Sequence, residues 1–249
     1  MLDLQPLFQA KLPLHLLLLH PTVHALANAI DYFIQHKSIK QPMKNNFMAD
    51  SAFSSNQQPI QLYHTLNQHK HILLTGATGF LGSHLADYII EKKFNVELFG
   101  IKRWHLSNLK NIKHIINKIN FYDCDITDPI GTREMIKKIN PNTIFHLASE
   151  SFVSPSWLHP SRYMNVNYNG TLNILDALKE KKSKAIIHIP GSGEEYGEIY
   201  KQELPITSKT VLRPVNPYAV SKVAQDLIGY VYFKSYGINV IRTRAFNHE

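Results

Sequence analysis

A glycine-rich segment constrains the fold of this chain more than any other feature of its sequence. Residues 75–82 place glycines at Gly76, Gly79 and Gly82, directly after the apolar run 71–75. That run is typical of a strand buried on both faces, and the apolar spacing after the glycines is typical of a helix. Glycines between a strand and a helix allow a tight turn and a close approach of the backbone to a pyrophosphate, which the free N–H groups of the helix then bind. The segment therefore predicts a dinucleotide-binding turn.

Strand and helix patterns alternate from residue 69 onward. They predict strands at 71–75, 96–100, 143–147, 185–189 and 239–244, and helices near 81–89, 131–139, 161–179 and 217–236. Strands that alternate with helices of this length form parallel sheets with helices on both faces. We therefore expect an α/β fold, a Rossmann-like doubly wound parallel sheet, in a cofactor-binding domain of residues 69–249.

Residues 1–68 lack this alternation and form a separate, poorly specified leader. Their apolar run 12–19 is interrupted by Pro13 and His15 and is about half as long as a bilayer span. A secretory signal is one interpretation. The interpretation that we favour is a short amphipathic helix near 22–36 with a flexible tether.

Composition narrows the class of protein. Hydrophobic residues make up 44% of the chain and charged residues 18%, which excludes wholesale disorder, collagen and coiled coil. The single cysteine, Cys124, excludes a disulfide framework and a multi-cysteine zinc site, and the histidines show no metal-ligand spacing. One free cysteine fits a reducing compartment, so we expect a cytoplasmic protein without a metal.

The net charge of +8 is spread over predicted helix ends, apart from one basic stretch at 102–118. That stretch carries no nucleic-acid recognition motif, and an anionic small ligand explains it better. We therefore expect neither nucleic acid nor a membrane as a partner.

The end of the second predicted strand indicates which dinucleotide binds. NAD-binding proteins place a carboxylate there to accept a hydrogen bond from the ribose 2′-hydroxyl. In this chain Gly100 is followed by Ile101, Lys102 and Arg103, with no acid nearby. An ammonium and a guanidinium suit a 2′-phosphate, although an exposed basic loop is the alternative. We expect NADP, with NAD as the second choice.

A tyrosine and a lysine supply a candidate for catalysis. Tyr218 and Lys222 lie four residues apart in a predicted helix and so share a face. An ammonium beside a phenol stabilises the phenolate and lowers its pKa from about 10 towards neutrality, as a base for a sugar hydroxyl requires. Ser192 follows the strand 185–189 at its carboxyl end, where open α/β sheets bind ligands. Its hydroxyl is therefore a third candidate catalytic group beside Tyr218 and Lys222.

Together these residues resemble the extended short-chain dehydrogenase/reductase family over residues 70–249. The resemblance is strongest to its nucleotide-sugar enzymes, the GDP-mannose 4,6-dehydratases and GDP-4-keto-6-deoxymannose reductases. The matching stretches are 125–128, 146–153, 167–171, 213–218 and 244–249.

The resemblance implies a set of contacts for each ligand. Cofactor contacts would come from Gly76, Thr78, Gly79, Phe80, Leu81, Gly82, Lys102, Arg103, Asp125, Ile126, Leu147, Ala148, Tyr218 and Lys222. Among these, Asp125 and Ile126 would line the adenine. Contacts to the nucleotide-sugar substrate would come from Ser149, Glu150, Ser151 and Asn247.

The choice between dehydratase and reductase depends on one carboxylate. The resemblance implies that dehydratases use a Thr-x-Glu pair after the fourth strand. In this chain the corresponding residues are Ser192-Gly193-Glu194, and the adjacent Glu195 is a second carboxylate at the same place. Reductases of the group carry a similar sequence. Because residues 247–249 resemble the dehydratases more, we expect a dehydratase that acts on GDP-mannose, with a reductase or an epimerase of nucleotide sugars as alternatives.

The reaction that this resemblance implies is an internal redox cycle. Tyr218 deprotonates the C4 hydroxyl of the sugar while NADP takes the C4 hydride. Glu194 then removes the C5 proton, water leaves from C6, and the hydride returns to C6.

Family members continue beyond Glu249 with a substrate domain. We therefore expect that domain to be largely missing, and a catalytically inactive NADP-binding remnant is a further alternative. Helices 161–179 and 217–236 resemble the family's dimer-forming bundle, which implies a homodimer or homotetramer. Their apolar residues can equally be core against the sheet: Val166, Leu172, Leu175, Val223, Leu227 and Val231.

Overall fold

The computed structural model describes residues 71–246, which form a six-stranded sheet flanked by helices. The strands are β1 His71–Thr75, β2 Glu97–Lys102, β3 Asn120–Asp123, β4 Thr143–His146, β5 Ile186–Ser192 and β6 Asn239–Ala245. Their order in the sheet is β3-β2-β1-β4-β5-β6, and every neighbouring pair is parallel. The prediction of a doubly wound parallel sheet is confirmed. Because the order reverses between β1 and β4, a crevice opens there at the carboxyl ends of the strands.

The helices connect these strands. They are α1 Phe80–Glu91, α2 Pro129–Ile139, α3 Val153–Ser156, α4 Pro160–Tyr163, α5 Gly170–Glu180 and α6 Pro217–Tyr236, with a π-helical segment at Met164–Asn169 between α4 and α5. The predicted helix 161–179 is thus composite. The predicted helix 217–236 matches α6, whose ends carry strong signals: the Asn216 side chain accepts from the N–H of Ala219, and Gly237 ends the helix with a φ of 66°.

Two apolar layers cover the two faces of the sheet. Ile72 and Leu74 of β1 pack in the layer that α1 covers, whereas Leu73 packs in the layer formed with α2, α5 and α6. Side chains of a strand alternate between faces, so a strand covered on both faces must be apolar throughout. This burial explains the uninterrupted apolar run that precedes the glycines.

One strand is missing from the prediction, and another extends well beyond its predicted end. β3 escapes prediction because it is a four-residue edge strand whose residues are exposed or half-buried. β5 continues past its predicted end through Pro190 to Ser192, since β6 pairs with it as far as Ala245. This extension carries Ser192 to the carboxyl edge of the sheet.

Residues 1–68 and Asn247 lie outside the described residues. Within residues 71–246, no helix combines the length and the apolar character that a membrane span requires.

Candidate active site

The glycine turn between β1 and α1 leaves no room for side chains at two positions. Gly76 has a φ of 68°, and a Cβ atom on it would lie 2.7 Å from the backbone of Leu147 and of Ala148. A Cβ atom on Gly82 would lie 2.2 Å from the Gly76 carbonyl oxygen. Glycine is therefore required at both positions, as expected for a tight turn that packs a helix closely on a strand.

Ala77 of the turn is buried in the core, whereas Gly79 and Phe80 are exposed at the start of α1. Gly79 is the N-cap of α1, and within residues 71–246 no side chain caps that helix end. Its N–H groups are therefore available to an anion. Thr78 and Leu81 are half-buried, and Phe80 is exposed with its ring 4.5 Å from the ring of His84.

The segment after β4 contacts the same turn. The N–H groups of Leu147 and Ala148 donate to the carbonyl and to the hydroxyl of Thr75, at 3.2 and 3.0 Å. These two predicted cofactor residues thus form one wall of the crevice, and the glycine turn forms the other.

The two cations after β2 have different environments. Lys102 pairs with Asp123 of β3, with 2.5 Å between Nζ and Oδ1. Arg103 is half-buried, and no carboxylate in the described part of the chain pairs with it. Its backbone N–H donates to Ser107 Oγ at 2.8 Å, which fixes the start of the loop. Arg103 is thus the cation that remains for a ligand anion.

The segment after β3 is held rigidly. Asp125 Oδ1 accepts from the N–H and the hydroxyl of Thr127, at 2.9 and 2.8 Å. Ile126 is buried against Gly170, where a Cβ atom would lie 2.6 Å from the isoleucine Cδ1, and its carbonyl accepts from Asn173 Nδ2 at 2.8 Å. Both predicted adenine contacts therefore have fixed backbones.

Tyr218 and Ser192 come together at the carboxyl end of β5. Tyr218 lies in the first turn of α6, its side chain is hydrogen-bonded to that of Ser192, and the Tyr163 ring meets its ring edge-on at 6.2 Å. Burial raises the pKa of the Tyr218 phenol, and the nearby Glu195 and Glu194 carboxylates raise it further. The expected lowering of this pKa is therefore not found in the structure.

Lys222 explains that difference. Its ammonium is almost fully buried and donates to the Pro190 carbonyl oxygen at 2.7 Å and to Gln225 Oε1. Burial also lowers the pKa of Lys222 to about 8, because the charged form loses its hydration. Tyr218 and Lys222 share a face of α6 as predicted, but the ammonium of Lys222 donates its hydrogen bonds to Pro190 and Gln225.

The adjacent glutamates Glu194 and Glu195 occupy opposite environments. Glu194 is exposed, and its Oε2 accepts from Asn216 Nδ2 at 3.0 Å. Glu195 is completely buried: its Oε1 accepts from the N–H of Ser192 at 2.8 Å, and its Oε2 pairs with Arg244 at 2.8 Å. Only Glu194 is therefore available to a substrate, and Glu195 supports the backbone of Ser192.

Arg244 belongs to a buried ionic cluster that the sequence patterns do not reveal. Besides Glu195, it pairs with Asp226 at 2.7 Å, and the same Asp226 oxygen accepts from Arg242 at 2.7 Å. The residues come from β6, α6 and the turn after β5, so only the fold brings them together. The cluster joins these three elements beneath Ser192.

The predicted substrate residues after β4 are arranged around Asn167, a buried residue of the π-helical segment. Asn167 Oδ1 accepts from Ser149 Oγ and from the N–H of Glu150, at 2.9 and 2.8 Å, while its Nδ2 donates to Ser221 Oγ at 2.9 Å. The Glu150 carboxylate pairs with Arg162 at 2.7 Å. Asn167 thus ties the loop after β4 to the helix that carries Tyr218.

The remaining predicted contacts complete this picture. Ser151 is an exposed residue of the loop between β4 and α3, and Asn247 lies outside the described residues. No group of three or more histidine, cysteine or acidic side chains within residues 71–246 is arranged to hold a metal ion.

Comparison with known proteins identifies the family. The family model described as GDP-mannose 4,6 dehydratase matches residues 73–249. A GDP-mannose 4,6-dehydratase of Yersinia enterocolitica is 34% identical over 190 residues, which are 72% of this chain and 50% of that protein. The chain thus spans about half the length of the curated relatives that it matches.

Solved structures agree with this result. The dTDP-glucose 4,6-dehydratase DesIV of Streptomyces venezuelae, with NAD bound, superposes with a TM-score of 0.63 at 26% identity, over 70% of this chain and 55% of that one. The RMD protein of Pseudomonas aeruginosa, complexed with NADPH, superposes with a TM-score of 0.56 at 26% identity, over 72% of this chain and 55% of that one. On the family match and the sequence identity, this chain belongs to the GDP-mannose 4,6-dehydratase family.

Proposed function

We propose that this chain carries the cofactor-binding and catalytic part of a nucleotide-sugar 4,6-dehydratase that acts on GDP-mannose. The observation that carries the proposal is the position of Glu194. It is the exposed carboxylate of the adjacent pair, and it follows Ser192, which is hydrogen-bonded to Tyr218. A base for the C5 proton must reach the same sugar ring as the base for the C4 hydroxyl, and this arrangement supplies both.

The residues of the chain divide the work between two proton transfers. Tyr218 takes the proton of the C4 hydroxyl, and its hydrogen bond to Ser192 favours the phenolate that this step needs. Glu194 then takes the C5 proton, which the new C4 ketone makes acidic. The C6 hydroxyl leaves as water. A nicotinamide dinucleotide held by the glycine turn would supply the hydride chemistry, namely removal of the C4 hydride and its return to C6.

The cofactor in this proposal is a nicotinamide dinucleotide, as in the NAD and NADPH complexes of the two solved neighbours. The residues present fit such a group, because side chains are excluded at Gly76 and Gly82 and the N-terminus of α1 is uncapped within residues 71–246. Gly76, Gly79 and Gly82 would hold the pyrophosphate. Arg103 would bind the 2′-phosphate of NADP, since Lys102 is already paired with Asp123.

Replacing Arg103 with alanine is expected to weaken NADP binding by about tenfold while NAD binding changes little, because only NADP carries the phosphate that a guanidinium pairs with. Isothermal titration calorimetry with each dinucleotide measures the two affinities. Lys102→Ala is the matched control, and we expect a smaller effect from it because the ammonium already has a carboxylate partner. Equal losses for NAD and NADP would contradict the assignment of Arg103.

Ser192 in place of the dehydratase threonine, together with a 28% identity to a GDP-6-deoxy-D-mannose reductase of Pseudomonas aeruginosa, favours a reductase of the 4-keto-6-deoxy sugar as the second candidate. Glu194→Gln separates the two, since elimination needs a base at C5 and reduction does not. We expect the variant to bind NADP but to lose dehydration by about 10²–10⁴-fold. The measurement incubates the purified chain with GDP-mannose and NADP and detects a product lighter by one water using mass spectrometry.

The matched control is Glu198→Gln, an exposed carboxylate further along the same connection. Dehydration that persists in Glu194→Gln would contradict the proposed base. A wild-type chain that binds NADP without forming product would instead favour an inactive NADP-binding remnant.

The proposal extends to a homodimer through α6. Val220, Leu227 and Val231 recur at helical spacing on this helix, and each is exposed by at least 45% of its surface. In contrast, Leu175 of α5 is fully buried, and Val166 and Leu172 pack against the core. Among residues 71–246, the apolar face left uncovered is therefore that of α6, where we expect a second copy to bind.

A further inference from the structure

A chain of buried hydrogen bonds connects Lys222 to the strand that precedes the glycine turn. Lys222 Nζ donates to Gln225 Oε1, and Gln225 Nε2 donates to Thr171 Oγ1 at 2.7 Å. His146 bridges the rest: its Nε2 lies 2.8 Å from Thr171 Oγ1 and its Nδ1 lies 2.8 Å from Thr75 Oγ1. None of the five residues is more than 3% exposed. We call this chain of five residues the Gln225 relay.

Each hydrogen in the relay has only one consistent position. The Thr171 hydroxyl donates to the Asn167 carbonyl at 2.6 Å, so it must accept from both Gln225 and His146. His146 therefore carries its proton on Nε2. Burial lowers the pKa of His146 to about 3, which keeps the ring neutral, so Nδ1 accepts from the Thr75 hydroxyl. The Thr75 oxygen in turn accepts from the N–H of Ala148 at 3.0 Å.

The donor–acceptor order of these hydrogen bonds fixes the orientation of the Gln225 side-chain amide. Its NH₂ group must face Thr171, because the hydroxyl there has no hydrogen left to give. The amide oxygen consequently faces Lys222 and accepts from the ammonium. A glutamine without such a partner could present either end to the lysine, and its NH₂ end would repel the ammonium.

The other groups that face Lys222 come from several elements. The Pro190 carbonyl of β5 accepts from it at 2.7 Å. Glu195 and Asp226 raise the pKa of Lys222 by their charge, although both are themselves paired with Arg244.

Two neutral histidines and a second arginine complete these surroundings. Burial and, to a smaller extent, the charge of Lys222 lower the pKa values of His146 and His188 to about 3. Arg242 on β6 is paired with Asp226. The described residues thus give Lys222 one side-chain hydrogen-bond acceptor, Gln225.

We infer that Gln225 is a positioning residue for Lys222: the relay through Thr171 and His146 fixes its amide oxygen toward the lysine, so that the ammonium stays charged and in place for the nucleotide-sugar reaction. The catalytic part of this inference rests on the proposed function. The effect of Gln225 on the lysine does not, because it needs neither cofactor nor turnover. An acceptor beside an ammonium stabilises the charged form and raises its pKa.

The test measures the titration of Lys222 directly by NMR in the full chain labelled with ¹³C and ¹⁵N lysine. The Lys222 signal is assigned by its loss in Lys222→Met. We expect Gln225→Leu to lower the pKa of Lys222 by about one unit, because a charge-assisted hydrogen bond is lost. Gln225→Glu is expected to raise it, because a carboxylate stabilises the ammonium more than an amide does.

Two further variants test the relay itself. Thr171→Val removes the acceptor that orients the amide and is expected to shift the pKa of Lys222 in the same direction as Gln225→Leu. Asn173→Leu, the matched control, removes an amide that donates to the Ile126 carbonyl and has no other side-chain hydrogen bond within residues 71–246, and it is expected to leave the titration of Lys222 unchanged. Thermal unfolding of each variant confirms that it is folded, and Thr171→Val replaces Gln225→Leu if the latter does not fold.

Opposite shifts for Gln225→Leu and Gln225→Glu support the inference, since a merely structural role would move both in one direction or neither. Unchanged titration in both variants, or shifts of the same sign, would overturn it. A chain that shows the opposite shifts but forms no product from GDP-mannose would retain the positioning role and contradict only the proposed function.

Discussion

Replacing Arg244 with leucine is expected to lower the free energy of unfolding by about 3–5 kcal/mol. Arg244 pairs with Glu195, which is completely buried, and with Asp226, which is 2% exposed. Without the arginine, the described residues leave Glu195 with the N–H of Ser192 as its hydrogen-bond donor, and Asp226 with Arg242 as its ion-pair partner. Breaking a buried ion pair from one side is costly because a charge remains in a medium that cannot hydrate it. Urea-induced unfolding measures the loss.

The deficit should depend on pH in a direction that the structure fixes. Burial raises the pKa of Glu195, and Arg244 opposes that rise. A raised pKa means that the folded state holds the proton at a pH where the unfolded state has released it, so stability falls as pH rises through this window. Removing Arg244 raises the pKa of Glu195 in the folded state further, so the pH range over which stability falls extends to higher pH.

We therefore expect a larger loss at about pH 8 than at about pH 5. The matched control is Arg133→Leu, which breaks an exposed pair with Glu180 at 2.6 Å and is expected to change stability far less. An Arg244→Leu deficit that is the same at both pH values would contradict this account of the cluster.

Replacing Tyr218 with phenylalanine is expected to reduce turnover of GDP-mannose by about 10²–10⁴-fold, the usual contribution of a positioned acid–base group. The phenol is the group hydrogen-bonded to Ser192, and phenylalanine keeps the ring against Tyr163. Dinucleotide affinity should therefore change much less than turnover. Product formation and calorimetric titration with NADP, carried out on the same preparation, separate the two effects.

Tyr232→Phe is the control for this variant. It removes a buried phenol whose hydroxyl donates to Asp176 at 2.6 Å, near the end of α6 opposite to Tyr218. We expect this change to affect stability modestly and turnover little. A similar loss of turnover in both variants would mean that α6 responds to packing rather than to the hydroxyl of Tyr218.

Local patterns were sufficient for the glycine turn and for α6. The turn follows from the steric needs of Gly76 and Gly82, and α6 follows from its Asn216 cap and its terminal Gly237. Both signals lie within a few residues of the structure that they specify. The sequence alone therefore predicts five of the six strands, the first crossover and the helix that carries Tyr218.

Features that depend on distant contacts could not be predicted in this way. The sequence places Glu194 and Glu195 side by side, but the turn after β5 exposes one and directs the other toward Arg244, 49 residues later. The acceptors of Lys222 are likewise set by tertiary structure: the extension of β5 supplies Pro190, and the relay orients Gln225. Burial and the nearby glutamates raise the pKa of Tyr218, and the ammonium of Lys222 is hydrogen-bonded elsewhere, so the predicted lowering of this pKa is not found.

The pairing of β1 with β4 at the centre of the sheet also determines when the site can form during folding. Thr75 and His146, which meet across this pair, are 71 residues apart in the chain. Contacts of such sequence separation require closure of a long loop, whose entropic cost precedes any gain from the pairing, and they form slowly. A chain in which β1, α1 and β2 have already associated would have the glycine turn without its opposite wall at Leu147 and Ala148. The crevice is therefore complete only once β4 has paired with β1.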